Sequence, residues 1–96
     1  MIDINSIASF CHREAKRRNK IEDKIQHWQT AGSISEEVME FIKADETTAS
    51  EHIPEYTEAQ EELADILITC LTELHRRNVD IEAIITKKLE FNQNRP

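Results

Sequence analysis

Residues that form tight turns are scarce in this chain of 96 residues, which contains one glycine and two prolines. A sandwich or barrel of many short strands needs frequent turns, so the composition argues against both folds. The longest uncharged apolar run, residues 66–71, is far shorter than the ~20 residues of a membrane-spanning helix. No apolar leader with a small-residue cleavage site opens the sequence, so we expect no secretory signal.

Cysteines and basic residues are also few. Cys11 and Cys70 have no CxxC spacing and cannot form a dense disulfide framework, which is typical of proteins in a reducing cytoplasm.

Nineteen acidic residues against twelve basic ones give a net charge of −7, which disfavours a generic nucleic-acid-binding protein because phosphates require a basic face. We therefore expect one soluble, cytoplasmic, all-α domain over residues 1–96 that binds neither nucleic acid nor a membrane.

The spacing of apolar residues and the capping signals predict four helices. Their predicted bounds are 5–18, 34–44, from 55 or 57 to 77, and from 81 to about 91. The second helix is expected to start after the chain's only glycine, because Ser33 and Glu36 spell the capping box S-x-x-E. Asn78 is the predicted C-cap of the third helix, and Asp80 the predicted N-cap of the fourth.

An acidic pattern occurs twice, as EEVMEFI in the second predicted helix and EELADIL in the third. At 100° per residue, Glu37 with Glu40, and Glu62 with Asp65, lie at the same edge of the apolar face of each helix. If the two faces pack together, four carboxylates meet and repel one another unless cations lie among them. Oxygen ligands suit Mg²⁺ or Mn²⁺, although solvated helix faces are also rich in glutamate. The pattern alone fits a metal site and an acidic surface about equally.

Two motifs resemble those of the MazG-like, all-α nucleoside triphosphate pyrophosphohydrolases. The first is the ExxE…ExxD signature, present as E37-V-M-E40 and, after 21 residues, E62-L-A-D65, with Glu36 completing the spelling EExxE. The second is the tail K-x-x-[YF]-N-x-x-R-P, present as KLEFNQNRP at residues 88–96. The resemblance covers residues 33 to 96, and it implies a four-helix bundle that is completed by dimerisation or by assembly of a tetramer.

The activity implied by the resemblance is hydrolysis of a (deoxy)nucleoside triphosphate between the α and β phosphates, for nucleotide-pool control or house-cleaning. By that match, the ligands of Mg²⁺, with Mn²⁺ as a substitute, are Glu37, Glu40, Glu62 and Asp65. Glu36 or Glu40 is the expected acceptor of the proton of the attacking water, and the sequence does not decide between them.

The same resemblance assigns contacts with the phosphates to Lys88, Asn92 and Arg95. Arginine binds phosphate bidentately and lysine binds it as a point charge, so both residue types suit this role. A lysine in the last turn of a helix also complements the helix dipole without any ligand.

The base-binding candidates are Trp28 and His27, although a single tryptophan in a small domain is more often a core anchor. His12, His52 and His75 show no ligand spacing, so they are predicted to be surface or core residues. The motifs carry no information on base or sugar. Two alternatives remain open: a phosphoribosyl-ATP pyrophosphohydrolase, which has a similar length and acidic helices, and a non-catalytic acidic helical module that binds a basic partner.

Overall fold

The computed structural model describes residues 3–96, and within them the secondary structure consists of four α-helices without a strand. The helices are α1 (Ile4–Arg17), α2 (His27–Lys43), α3 (Glu58–Arg76) and α4 (Ile81–Gln93). The prediction of an all-α chain is therefore confirmed. None of these helices combines the length and the apolar character that crossing a membrane requires.

Local hydrogen bonds define the ends of three helices close to their predicted bounds. Asp3 and Asp80 are the N-caps of α1 and α4, and the carboxylate of each accepts a backbone N–H from the first turn of its helix. Asn19 and Asn78 follow α1 and α3 with φ angles of 57° and 61°, the left-handed conformation in which asparagine is among the most tolerant residues. The prediction that Asn78 ends α3 and Asp80 begins α4 is confirmed.

The predicted start of α2 is wrong, because the helix begins at His27 rather than at residue 34. Ser33 and Glu36, predicted to form its capping box, lie inside the helix. A side chain at Gly32 would meet no atom within 4 Å, so this glycine lies at an open position. A glycine inside a helix costs about 1 kcal/mol relative to alanine, which the remaining helical residues of α2 offset.

The chain divides into two compact units of opposite net charge. One contains the described residues up to 22 together with 71–96, and the other contains residues 23–70. In sequence, the stretches 1–22 and 71–96 carry ten basic and seven acidic residues, whereas 23–70 carry two basic and twelve acidic residues. The segment 23–70, called the acidic unit below, includes α2, the loop after it and the first turns of α3.

The other unit has a small apolar core. Ala8, Leu71 and Ile81, from α1, α3 and α4, are buried together. Asn5 connects α1 to the start of α4, because its amide nitrogen donates to Asp80 at 3.1 Å and its amide oxygen accepts from the Ile81 N–H at 2.8 Å.

Two histidines lie one helical turn beyond this core. The Nδ1 atoms of His12 and His75 are 2.8 Å apart, and the rings meet edge to face with centroids 5.1 Å apart. One Nδ1 must carry a proton and the other must not, so the contact is lost when both imidazoles are charged. Burial lowers the pKa of His12, and the charge of His75 lowers it further.

We predict that acid destabilises this unit through the histidine pair. The folded-state pKa of His12 lies below its ordinary value of 6.5. The stabilisation of the fold by the histidine contact is therefore complete above pH 6.5, and it is lost as the pH falls through the folded-state pKa. Chemical unfolding between about pH 7.5 and pH 5 should show a decrease in the free energy of unfolding for the wild type and a smaller decrease for His12→Gln. Equal decreases in both proteins would contradict this prediction.

Candidate metal centre

A hydrogen-bonded loop joins α2 to α3 and fixes where α3 begins. The Asp45 carboxylate accepts hydrogen bonds from the hydroxyl and backbone N–H groups of Thr47 and Thr48, at 2.6 to 3.0 Å. These bonds, above all those from the Thr48 and Thr47 hydroxyls, lower the pKa of Asp45 to about 2. The Asp45 N–H donates to the Glu58 carboxylate at 3.0 Å, which ties the loop directly to the first turn of α3.

The first turn of α3 is also capped reciprocally. The Thr57 hydroxyl accepts from the Gln60 N–H at 3.1 Å, and the Gln60 side-chain oxygen accepts from the Thr57 N–H at 2.9 Å. This pair is a capping box, which satisfies two backbone donors at the start of the helix. These hydrogen bonds fix where α3 begins, and they therefore fix the positions of Glu62 and Asp65 along the helix.

Three carboxylates come together in the acidic unit. Glu37 on α2 and Glu62 and Asp65 on α3 each offer an oxygen atom, and these atoms all lie within 4.8 Å of one another. All three side chains are half-buried. The structure therefore brings together three of the four predicted metal ligands, and this group is called the carboxylate cluster below.

The electrostatics of the carboxylate cluster disfavour full ionisation without a cation. Burial raises the pKa of Glu62, and the negative charges of Asp65, Glu61, Glu37 and Glu40 raise it further. A raised carboxyl pKa means that the surroundings oppose the charged form. Removing a proton from Glu62 therefore costs free energy, and a bound divalent cation would offset that cost.

The donor set fits a hard divalent cation. Carboxylate oxygens are the ligands that Mg²⁺ and Mn²⁺ prefer, whereas zinc sites usually include histidine or cysteine. Glu40 is not a member of the carboxylate cluster, although its charge acts on Glu62. Glu36 and Glu40 are exposed, and with Glu37 they line an open depression on α2.

The two base-binding candidates lie at the other end of α2. Trp28 is 68% exposed, and its indole N–H donates to the side-chain oxygen of Gln26 at 2.6 Å. His27 is also exposed. Nine residues separate Trp28 from Glu37, which is about 14 Å along a helix. Trp28 is therefore not a core anchor, and its role in base contact stays a prediction.

The predicted phosphate-contacting residues belong to the unit that contains α4. Lys88 and Asn92 lie on α4, Arg95 follows it, and all three are exposed. The Lys88 ammonium lies 4.6 Å from the centroid of the Phe91 ring, a cation–π contact. Their contact with phosphate stays a prediction.

A polar group next to the carboxylate cluster in the chain was not predicted from the sequence. The buried Ser50 hydroxyl donates to Glu61, and His52 Nδ1 lies 2.9 Å from the other oxygen of the same carboxylate. No helical periodicity signals these contacts, because they join a loop to a helix nine or more residues away in sequence. The single available signal is the position of His52 in the loop between the two acidic motifs.

Comparison of the chain with protein-family models, curated proteins and solved structures gives no match in any of the three. The resemblance to MazG-like pyrophosphohydrolases therefore rests on the motifs of the chain itself.

We predict that Glu62→Gln stabilises the metal-free protein and removes its response to Mg²⁺. The amide keeps the shape of the side chain and abolishes the charge that its neighbours oppose, so the metal-free melting temperature should rise by a few degrees. At 100 times the dissociation constant, Mg²⁺ should raise the melting temperature of the wild type by roughly 10 to 20 °C and that of the variant far less.

The matched control is Glu46→Gln, which removes an exposed carboxylate of the same unit outside the cluster. It should melt like the wild type and keep the full response to Mg²⁺. A similar Mg²⁺ response in both variants, measured by calorimetry, would identify a generic ionic effect and contradict a specific site.

Proposed function

We propose that this protein is a metal-dependent hydrolase that cleaves a (deoxy)nucleoside triphosphate between its α and β phosphates, releasing the monophosphate and pyrophosphate. The observation that carries the proposal is the carboxylate cluster, in which Glu37, Glu62 and Asp65 share a site within 4.8 Å. These are residues of the ExxE…ExxD pattern that resembles the MazG-like motif.

The charge of the acidic unit makes a metal necessary for such a substrate. Twelve acidic residues against two basic ones would repel a triphosphate. Mg²⁺ bound by the cluster would neutralise phosphate charge and lower the pKa of a water molecule for in-line attack. Glu37, Glu62 and Asp65 would hold this cation, and their half-buried position would limit competition from bulk water.

A carboxylate outside the cluster suits the role of proton acceptor. A group that is fully committed to a metal is a poor base, because its lone pairs are already engaged. Glu40 and Glu36 are both exposed, lie on the same helix as Glu37 and are not members of the cluster. We assign proton acceptance from the attacking water to this pair, with Glu40 also acting on Glu62 through its charge.

The remaining candidate residues are proposed from the resemblance and from their chemistry. The resemblance of the tail assigns phosphate contact to Lys88, Asn92 and Arg95, which carry suitable donors. Trp28 offers an exposed indole for stacking on a base, with His27 beside it.

We further propose that the protein is a homodimer, or a tetramer of such dimers, whose helices form a joint bundle. Large apolar side chains on the acidic unit are exposed in neighbouring pairs: Met39 and Ile42 on α2, and Leu63 and Leu67 on α3, at 52% to 66%. Residues three or four apart share a helix face, so each pair forms a continuous apolar surface. Soluble monomers rarely leave such surfaces uncovered, and a two-fold dimer covers them on both copies at once.

Substituting these apolar positions should separate the subunits. Light scattering should give a dimer or tetramer for the wild type, and a smaller species for Ile42→Glu and for Leu67→Glu, because each buries a charge in the proposed interface. Lys43→Glu, which places a carboxylate beside Ile42 on α2, should keep the wild-type assembly. A monomeric wild type at all accessible concentrations would contradict the dimer.

The reaction is tested with a panel of canonical and modified NTPs and dNTPs in Mg²⁺ or Mn²⁺, measuring monophosphate, pyrophosphate and phosphate together. Pyrophosphate and monophosphate should form in equal amounts. Glu62→Gln should lose about 100-fold or more in kcat/KM, which corresponds to about 2.7 kcal/mol of transition-state stabilisation, whereas Glu46→Gln should turn over normally.

Turnover of phosphoribosyl-ATP alone would contradict the proposed nucleoside triphosphate substrate in favour of the related pyrophosphohydrolase. Absence of any turnover, together with capture of a basic protein partner, would contradict an enzyme and favour the non-catalytic acidic module.

A further inference from the structure

The loop that precedes α3 contains a histidine, His52, whose orientation is fixed by two other side chains. The buried Ser50 hydroxyl donates to one oxygen of Glu61 and accepts from the backbone N–H groups of His52 and Ile53, each at 3.2 Å. The other Glu61 oxygen accepts from His52 Nδ1 at 2.9 Å. Both the backbone and the ring of His52 are therefore anchored to the same glutamate.

This arrangement leaves one edge of the imidazole ring available to a ligand. Nδ1 is engaged by Glu61, while the side chain as a whole is 81% exposed, so Nε2 is open to solvent. The hydrogen bond that His52 donates to Glu61 raises the pKa of His52, and the charges of Glu61, Glu51 and Asp65 raise it further. The charged imidazolium is thus favoured, and in that form Nε2 is a hydrogen-bond donor.

His52 is also close to the carboxylate cluster. Glu61 precedes Glu62 in the chain and lies four residues before Asp65, so Glu61 and Asp65 occupy one face of α3 about 6 Å apart along its axis. The effect of the Asp65 charge on His52 reflects the same proximity.

The acidic unit is poor in cations that could meet a polyphosphate. Its only lysines are Lys24 and Lys43, and it contains no arginine. Apart from these two lysines, the unit offers a phosphate chain no permanently charged cation. His52, oriented by Glu61 and close enough to Asp65 to be affected by its charge, supplies a charged donor there.

We propose that His52 is a phosphate-binding residue that donates its Nε2–H to a non-bridging oxygen of the pyrophosphate leaving group while the metal is held by Glu37, Glu62 and Asp65. The inference rests on the proposed function and adds to it a contact from the loop between α2 and α3. The Ser50–Glu61 pair would then be a positioning device that holds the imidazole in place.

The test is calorimetric binding of inorganic tripolyphosphate in the presence of Mg²⁺ to the full chain. His52→Ala should bind about 10-fold more weakly than the wild type, since a charged hydrogen bond is lost, and His52→Gln should lose less because its amide still donates. Lys24→Gln removes a positive charge from the same unit and should bind within twofold of the wild type, which separates a specific contact from general electrostatics.

Two further measurements separate a ligand contact from a structural role. The melting temperature of His52→Ala and its response to Mg²⁺ should stay close to those of the wild type. Tripolyphosphate binding by the wild type should weaken as the pH rises through the His52 pKa, above 6.5, and the alanine variant should lack this dependence.

Equal binding by His52→Ala and the wild type, an equal loss in Lys24→Gln, or no binding of tripolyphosphate by the wild type would each overturn the role of His52. The activity assay distinguishes this failure from failure of the proposed function. Release of pyrophosphate with an unchanged KM in His52→Ala contradicts only the histidine contact, whereas a wild type without turnover contradicts the proposed reaction.

Discussion

Repulsion among carboxylates that the backbone holds together is the constraint on which this structure depends. Glu37, Glu62 and Asp65 come from two helices, and their oxygens lie within 4.8 Å of one another. Exposed like charges would separate by rotating into solvent, but these side chains are half-buried and the raised pKa of Glu62 records the cost of keeping them there. A divalent cation bound among these oxygens would offset that repulsion, which is the basis of the proposed metal site.

The loop between α2 and α3 supports this geometry through its hydrogen bonds. Asp45 is held by four hydrogen bonds to its carboxylate, and its backbone connects to Glu58, so the loop ends where α3 must begin. Ser50 and His52 then connect the middle of the loop to Glu61, next to Glu62. A site whose ligands are positioned before the metal arrives loses less conformational entropy on binding.

The sequence predicted those features that depend on local chemistry. The bounds of α1, α3 and α4 follow from apolar spacing and from caps such as Asp80, and the placement of Glu37, Glu62 and Asp65 follows from two helices with the same acidic pattern. The predicted start of α2 is wrong because Gly32 and the capping-box sequence of Ser33 and Glu36 both indicate a helix start, whereas the helix continues through Gly32 at a cost of about 1 kcal/mol. The Glu61–His52 contact was beyond prediction because it depends on the path of a loop.

The most direct test of the metal site is paramagnetic broadening of backbone NMR signals by substoichiometric Mn²⁺. We predict that the signals of residues around Glu37, Glu62 and Asp65 broaden first. Signals of the exposed acidic surface of α4, which includes Glu82 and Glu90, should persist at the same Mn²⁺ concentration and serve as an internal reference. Equal broadening at both surfaces would show that Mn²⁺ binds acidic surfaces non-specifically, and it would contradict a specific metal site formed by these three residues.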